Sequence, residues 1–196
     1  MITIIDYGAG NIKSVEKAMQ FLGYEVKTSS DIDTICASEK LILPGVGSFG
    51  NAMEKLKSKK LDGVIKNLKV PLLGICLGLQ LLFDYSEESN CAGLGILKGR
   101  IKKIPGERLK IPQMGWNSID ITREGMLFKE IKNGSYVYFV HSYYLDAEDK
   151  SIVSATVEYG TTLDVAIECG NIYATQFHPE KSGDLGLKIL KNFAGL

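Results

Sequence analysis

Apolar positions follow two rhythms along this chain. In the first half, short runs of strand length alternate with segments whose apolar residues recur at helical spacing. Ile2–Ile5, Glu25–Thr28, Lys40–Leu43 and Val70–Leu73 read as strands. The segments from Asn11 to about Leu22, Asn51 to Lys57, Leu61 to Leu68 and Leu77 to Phe83 read as helices, the last of them amphipathic. A βαβα order predicts a mostly parallel sheet with helices on both faces and its site at the carboxyl ends of the strands. From Gly99 onward the texture changes. Gly99–Ile104, Trp116–Ile121, Ser135–Val140, Ser151–Val157 and Asp164–Glu168 read as shorter strands, with Gly115, Gly134, Gly160 and Gly170 as punctuation. They predict a smaller mixed or antiparallel sheet in the C-terminal half. A last helix is expected over Asp184–Phe193. No repeat, low-complexity stretch or linker interrupts the pattern, so one domain over residues 1–196 is expected.

Composition narrows the function classes. Lysine plus arginine balance aspartate plus glutamate, 23 against 23, so no global field draws the chain to nucleic acid or an acidic membrane. No apolar run reaches the ~18–20 residues of a membrane span. Met1–Asp6 reads as a buried strand, not a signal peptide, and a cytoplasmic location is expected. Cys36, Cys76, Cys91 and Cys169 show no metal-like spacing and are expected as free thiols.

One cysteine stands out. Gly74-Ile75-Cys76-Leu77-Gly78-Leu79-Gln80 follows an apolar strand and opens a helix. A side chain at either flanking glycine would crowd a tightly bent backbone. A cysteine on such an elbow is lifted from the sheet, and the helix start beneath it favours negative sulfur. The chain has only two histidines. His178 lies in Gln176-Phe177-His178-Pro179-Glu180-Lys181-Ser182. Pro179 is expected to hold its neighbours extended, so that Glu180 orients the imidazole and the other ring nitrogen faces Cys76. His141 sits in an aromatic strand and reads as a structural histidine. Asp6-Tyr7-Gly8-Ala9-Gly10-Asn11 has a dinucleotide-loop flavour, but Lys13 stands where a third glycine belongs. A tight strand-to-helix turn is the better reading there.

The cysteine elbow and the Gln-Phe-His-Pro-Glu segment resemble class I (triad) glutamine amidotransferases. Asp6–Asn11, Leu43–Gly50, Pro112–Asn117 and Tyr138–Tyr143 are similar to those enzymes' glutaminase subunits of imidazole glycerol phosphate synthase, and the resemblance covers the whole chain. Gln113 departs from it, since the family often has histidine there. The resemblance implies glutamine hydrolysis through a Cys76 thioester, with His178 and Glu180 completing the triad. Backbone N–H groups of Leu77 and of Val46 or Gly47 would hold the oxyanion. Gln80, Glu88, Ser142 and Tyr143 would grip the substrate. Asn11, Trp116, Tyr138 and Lys181 match positions at an interface with a (β/α)8-barrel cyclase subunit, the partner in a heterodimer that would receive the ammonia. No cofactor and no metal is implied. The bland alternatives are that Gln80 caps the elbow helix, that Glu88 belongs to a solvated loop, and that Trp116 and Tyr138 are core. Two rival functions remain: a related amidotransferase serving surface-sugar biosynthesis, and a partner-free thiol hydrolase of the same fold.

Overall fold

The computed structural model describes residues 1–106 and 109–196. Its first half is the expected alternation. β1 (Ile2–Ile5) leads to α1 (Ile12–Phe21), then β2 (Val26–Ser29), α2 (Ile32–Cys36), β3 (Lys40–Gly45), α3 (Phe49–Ser58) and α4 (Leu61–Lys66). β4 (Leu72–Cys76) runs without a break into α5 (Leu77–Leu81). The pattern of residues did not reveal α2. It is only five residues long, and its start is fixed by Asp31, whose carboxylate accepts the Thr34 N–H at 2.8 Å.

After α5 come two-residue strands β5 (Tyr85–Ser86) and β6 (Cys91–Ala92), then β7 (Gly99–Lys103), β8 (Gln113–Ile121) and β9 (Tyr136–His141). The chain continues through β10 (Tyr143–Ala147), β11 (Val153–Glu158), β12 (Thr162–Cys169), β13 (Ile172–Thr175) and the closing α6 (Gly183–Ala194). β2, β1, β3, β4 and β13 lie side by side and parallel. β12 then pairs antiparallel with β13 and carries the sheet on through β10 and β7. β11 and β8 extend a branch from β12, and β9 closes it. The antiparallel portion is thus hydrogen-bonded to the parallel block along β12–β13.

Alternation along the strands sorts the core into two layers. Ile5, Leu41, Leu43 and Leu72 face α3, α4 and α5. Ile2, Ile4, Ile42, Leu73 and Ile75 face the opposite way, onto α1 and α6. Residues Leu77–Phe83 are not amphipathic as their sequence suggests: every one is buried. The reason is the closeness of α5 to the sheet. A Cβ on Gly78 would stand 1.8 Å from the Leu43 carbonyl oxygen, and one on Gly74 would lie 2.9 Å from the Gly78 backbone. With no room between α5 and β3, the helix is covered on one side by the sheet and on the other by α3.

Gly78→Ala must therefore push α5 off β3. We expect it to destabilise the protein by about 3 kcal/mol or more, the upper end of overpacking costs. Gly63→Ala, in α4 with nothing within 4 Å of its Cβ position, should stabilise by about 0.5–1 kcal/mol. Urea unfolding of the two variants checks both signs.

Candidate active site

Three strand ends meet at one level. The register pairs Gly45 of β3 with Cys76 of β4, and Ile75 of β4 with Thr175 of β13. Cys76 consequently lies between Gly45 and Gln176, with Val46 and Gly47 just beyond one neighbour and His178 just beyond the other. Cys76 itself has φ 55° and ψ −109°, a conformation rarely taken by a residue with a side chain. The strain is tolerated because β4 and α5 are clamped on either side of it. It turns the side chain out of the strand toward a cavity of about 330 Å³.

His178 and Glu180 come together as expected, by a different local geometry. Pro179–Lys181 form a 3-10 turn, not an extended segment. Lys181 N–H closes that turn onto the His178 carbonyl at 3.0 Å. The turn brings Glu180 Oε1 to 2.8 Å from His178 Nδ1, with both side chains 1% exposed. His178 Nε2 is buried and makes no hydrogen bond among the described residues. It shares the cavity with Cys76. Burial opposes charge on this ring, but the Cys76 sulfur and the Glu180 carboxylate outweigh it and raise the pKa to about 9. Both groups therefore favour a proton on this ring once the sulfur is negative. Nε2 and Sγ face the same cavity without a fully formed hydrogen bond.

The remaining candidates divide cleanly. Val46, Gly47 and Leu77 line the cavity on one side. Gly47 has φ +97°, which a residue with a side chain would adopt only with strain. Gln80, Glu88, Ser142 and Tyr143 line it elsewhere. Gln80 does not cap α5: its Nε2 donates to the Tyr143 carbonyl at 3.1 Å and to Gln176 Oε1 at 2.9 Å. Glu88 is not a solvated loop residue. Its Oε2 accepts the Phe49 N–H at 2.8 Å, and the next residue, Ser89, accepts the Gly50 N–H at 2.9 Å. Those two side chains cap α3, whose own N-cap Ser48 makes no side-chain bond.

Trp116, Tyr138 and Lys181 form one cluster away from the cavity. The Trp116 and Tyr138 rings meet edge-on at 6.1 Å, and Lys181 Nζ lies 5.9 Å from the Tyr138 ring centre. Trp116 is 55% exposed and so is not core. Asn11 stands apart at the N-cap of α1, its Oδ1 accepting from Ser14 Oγ. The Gly8 and Gly10 loop is a tight turn, with Asp6 Oδ1 accepting the Gly8 N–H.

His141 is buried and structural, as its strand setting suggests. Burial, only partly offset by the hydrogen bond to the Tyr143 carbonyl, lowers its pKa to about 4, with charge on His178 acting in the same direction. A carbonyl can only accept, so Nδ1 carries the proton in its 2.9 Å contact with Tyr143 O. Nε2 of this neutral ring must then accept. Its partner at 2.9 Å is the Gln113 amide, drawn with Oε1 facing the ring and with Nε2 unpaired. Turning that amide over satisfies both groups. Gln113 thus points inward as the partner of His141, while its neighbour Met114 faces out, 59% exposed.

Two neighbours of the sulfur lie in segments that the resemblance covers, but the sequence assigned neither a role at the site. Gln176, fully buried, donates from Nε2 to Cys76 Sγ at 3.6 Å. Tyr7, also fully buried, packs its hydroxyl against Gly45 without a hydrogen bond among the described residues. Burial, with the nearby Cys76 sulfur adding to it, raises the Tyr7 pKa. No group of three or more His, Cys, Asp or Glu side chains fit to hold a metal occurs among the described residues.

A cysteine on a strand-to-helix elbow and the imidazole of a buried His–Glu pair share one cavity at the carboxyl ends of the parallel strands. The glutamine amidotransferase class-I family model matches residues 3–195, and the chain belongs to that family. The fold is shared with a solved glutamine amidotransferase (TM-score 0.76, 18% identity, 99% of this chain and 100% of that one) and with PurLQS from Thermotoga maritima (TM-score 0.73, 18% identity, 99% and 97%). Within the family, imidazole glycerol phosphate synthase subunit HisH of Bacillus cereus strain G9842 is 50% identical over 200 residues, covering 100% of this chain and 95% of that protein. HisH of Moorella thermoacetica is 49% identical (100% and 94%), and HisH 1 of Methanococcus maripaludis 45% (100% and 100%). Identity of this order over the full length places the chain among the HisH subunits.

The two histidines set opposite pH dependences. His141 is held neutral, with its folded pKa below the ordinary value of 6.5. Protonation then favours the unfolded chain, so this contribution is present above pH 6.5 and is lost as pH falls toward 4. The loss amounts to about 3 kcal/mol. His178, raised to about 9, contributes fully below pH 6.5 and loses its contribution only as pH rises through 9. We expect His141→Gln to flatten the stability change between pH 6.5 and 4.5, measured by urea unfolding, while His178→Gln leaves that change in place.

Proposed function

We propose that this chain is the glutaminase subunit of imidazole glycerol phosphate synthase in histidine biosynthesis, acting as one amidotransferase domain over residues 1–196. The observation that carries the reading is the buried His178–Glu180 pair, whose free Nε2 shares a cavity with a cysteine held on a strained elbow. The substrate is L-glutamine. The Cys76 sulfur attacks its side-chain carbonyl while the thiol proton resides on His178. Glu180 fixes the ring's tautomer and stabilises the imidazolium. The oxyanion takes N–H donors from Leu77 and from Val46 or Gly47. His178 then protonates the departing ammonia. Water activated by the same ring hydrolyses the thioester and releases glutamate.

Gln80 has both amide protons engaged, by Tyr143 O and Gln176 Oε1. Its oxygen is left as the acceptor for the substrate's ammonium group. Glu88 has one oxygen on the start of α3 and one to spare for the same cation. Backbone of Ser142 and Tyr143 completes the grip.

Free ammonia is lost to protonation unless it is captured. The HisH relatives are named as subunits of a synthase, and a partner subunit follows from that. We take it to be a (β/α)8-barrel cyclase that uses ammonia to form imidazole glycerol phosphate and a purine-precursor ribonucleotide. The outward face of β8–β9 fits such a partner. Met114, Trp116 and Tyr136 are exposed apolar side chains there, beside the Tyr138–Lys181 contact. The same strand reaches the base: His178 N–H donates to the Tyr138 carbonyl at 3.0 Å, and Ser182 Oγ bridges the Tyr138 N–H and the His178 carbonyl.

The decisive variant is Cys76→Ala. Glutamine hydrolysis should vanish, while product formation by the reconstituted complex with added ammonium salt should survive. Glutaminase activity retained by purified Cys76→Ala protein would reject the nucleophile. His178→Ala should remove nearly all activity, and Glu180→Gln a smaller part of it.

Coupling to the partner is expected through Pro44–Gly47, where one backbone donor gained or lost is worth about 2.7–4 kcal/mol, or ~10²–10³ in rate. Steady-state glutaminase turnover should rise from chain alone, to complex, to complex with cyclase ligand. Equal turnover in all three states would eliminate gating and leave the triad standing.

A further inference from the structure

We propose that Gln176 is a catalytic residue of this centre, its side-chain N–H holding the Cys76 sulfur in place and stabilising it once the thiol proton has left. The inference rests on the reading of Cys76 as nucleophile. It concerns a residue outside the triad, the oxyanion donors and the substrate grip.

Register puts Gln176 beside the sulfur. Ile75 pairs with Thr175 in parallel strands, so Cys76 and Gln176 are the next residues of adjacent strand ends. Gln176 is 0% exposed, and its Nε2 lies 3.6 Å from Sγ. A side-chain amide can present either end to its neighbour, and here the polarity is determined. The Tyr143 carbonyl only accepts, which makes the nitrogen of Gln80 face it. That nitrogen also donates to Gln176, which makes the Gln176 oxygen face Gln80. The Gln176 nitrogen is left pointing at sulfur. A chain of two amides thus runs from a backbone carbonyl to the nucleophile, with no freedom to reverse.

The other polar neighbour of the sulfur has the opposite preference. Val140 O lies 4.0 Å from Sγ and can only receive a thiol proton. It favours the resting thiol and repels a thiolate. Gln176 N–H interacts weakly with neutral sulfur and strongly with the anion, because a hydrogen bond to a charged acceptor is roughly twice as strong. When the S–H proton passes to His178 Nε2, the sulfur exchanges its contact with Val140 O for full use of the Gln176 donor. The sulfur lone pair then forms the S–C bond as the carbonyl π pair moves to oxygen. Intrinsic nucleophilicity falls by only about half the gain in thiolate fraction on a logarithmic scale, so the donor raises the net rate.

The link through Gln80 adds a consequence. Gln80 is proposed to grip substrate through its oxygen, and the same side chain anchors Gln176. Substrate binding and sulfur placement therefore share one amide.

The test is alkylation of the full-length chain by iodoacetamide across pH, with peptide mass spectrometry resolving Cys76 from Cys36, Cys91 and Cys169. The charged or titratable groups facing the sulfur are His178, with Glu180 behind it, Tyr7, His141 and Glu88. None of them is altered in Gln176→Leu or Gln176→Glu. Loss of one hydrogen bond to a charged group corresponds to about ten- to hundred-fold, so Gln176→Leu should raise the Cys76 midpoint by about one pH unit or more. Gln176→Glu, of the same shape but with a carboxylate against sulfur, should raise it further.

In the complex with the cyclase, kcat/KM for glutamine should fall about ten- to hundred-fold at neutral pH, mainly through kcat. The Cys36 profile should not move. Unchanged Cys76 midpoints in variants with a native near-ultraviolet circular dichroism spectrum would overturn the proposal. Should Gln176→Leu fail to fold, Gln176→Met, which keeps the side-chain length and removes the donor without adding charge, decides in its place. Alkylation needs neither glutamine nor partner, so its outcome is separate from the Cys76→Ala test of the nucleophile.

Discussion

The close approach of α5 to β3 governs this molecule. Gly78 lies where a single carbon atom would overlap the Leu43 carbonyl, and Gly45 would meet Leu77, Gly78 and the Tyr7 hydroxyl within 3 Å. Such contact is available only to glycine. It lets a helix begin directly at the end of a central strand, with no connecting residue to relax the chain. The bend falls on Cys76, which takes up the strained torsion angles. Packing that would stabilise an ordinary protein here holds one residue in an unfavourable conformation, and the sulfur is presented to the cavity as a result. The energy of the core is what keeps the Cys76 sulfur raised.

A second organising element is one carbonyl group. Tyr143 O accepts from His141 Nδ1 at 2.9 Å and from Gln80 Nε2 at 3.1 Å, using both of its lone pairs. The first contact fixes the tautomer of a buried neutral histidine and hence the orientation of Gln113. The second fixes Gln80 and, through it, Gln176. A backbone acceptor has no alternative protonation state or rotamer. It can therefore set the polarity of two side-chain networks that would otherwise be free to reverse. Tyr143 begins β10 just after Ser142 breaks the strand run, and the Ser142 carbonyl is itself held by Ile104 N–H at 3.0 Å.

Much of this was legible in the residues, and what was hidden was hidden for physical reasons. The alternation of β1 through β4 with helices follows from runs and periods that burial alone explains. Cys76 and His178 were legible because glycine flanks the first and histidine is scarce. The family resemblance supplied Gln80 and Glu88, which no local pattern singles out, and gave the glycine-rich segment holding Val46 and Gly47 its role. The break between β9 and β10 was invisible, since an aromatic, apolar run continues across it. Only tertiary pairing shows that β9 bonds to β8 while β10 bonds to β7 and β12. Likewise the Glu88 cap on α3 joins residues 39 positions apart, and no window of sequence contains both. The role of Pro179 was misjudged because a proline also fits the first position of a helical turn, and here the turn prevails.

The strand β9 explains how a surface and a buried centre can be built from one segment. Its pleat sends Tyr136 and Tyr138 toward the outer face and Val137, Phe139 and His141 inward. Phe139 packs edge-on against Phe177, the residue before His178. Backbone hydrogen bonds from Tyr138 hold His178 and its following turn. Any shift of Tyr138 under a docking partner must therefore move the His178 main chain or break buried hydrogen bonds. Breaking one costs about 1–3 kcal/mol, and the turn itself is set tightly against α6, where a Cβ on Gly186 would stand 1.8 Å from the Pro179 carbonyl oxygen. The alternation of a single strand thus ties the exposed face of β8–β9 to the main chain that carries His178 and Glu180.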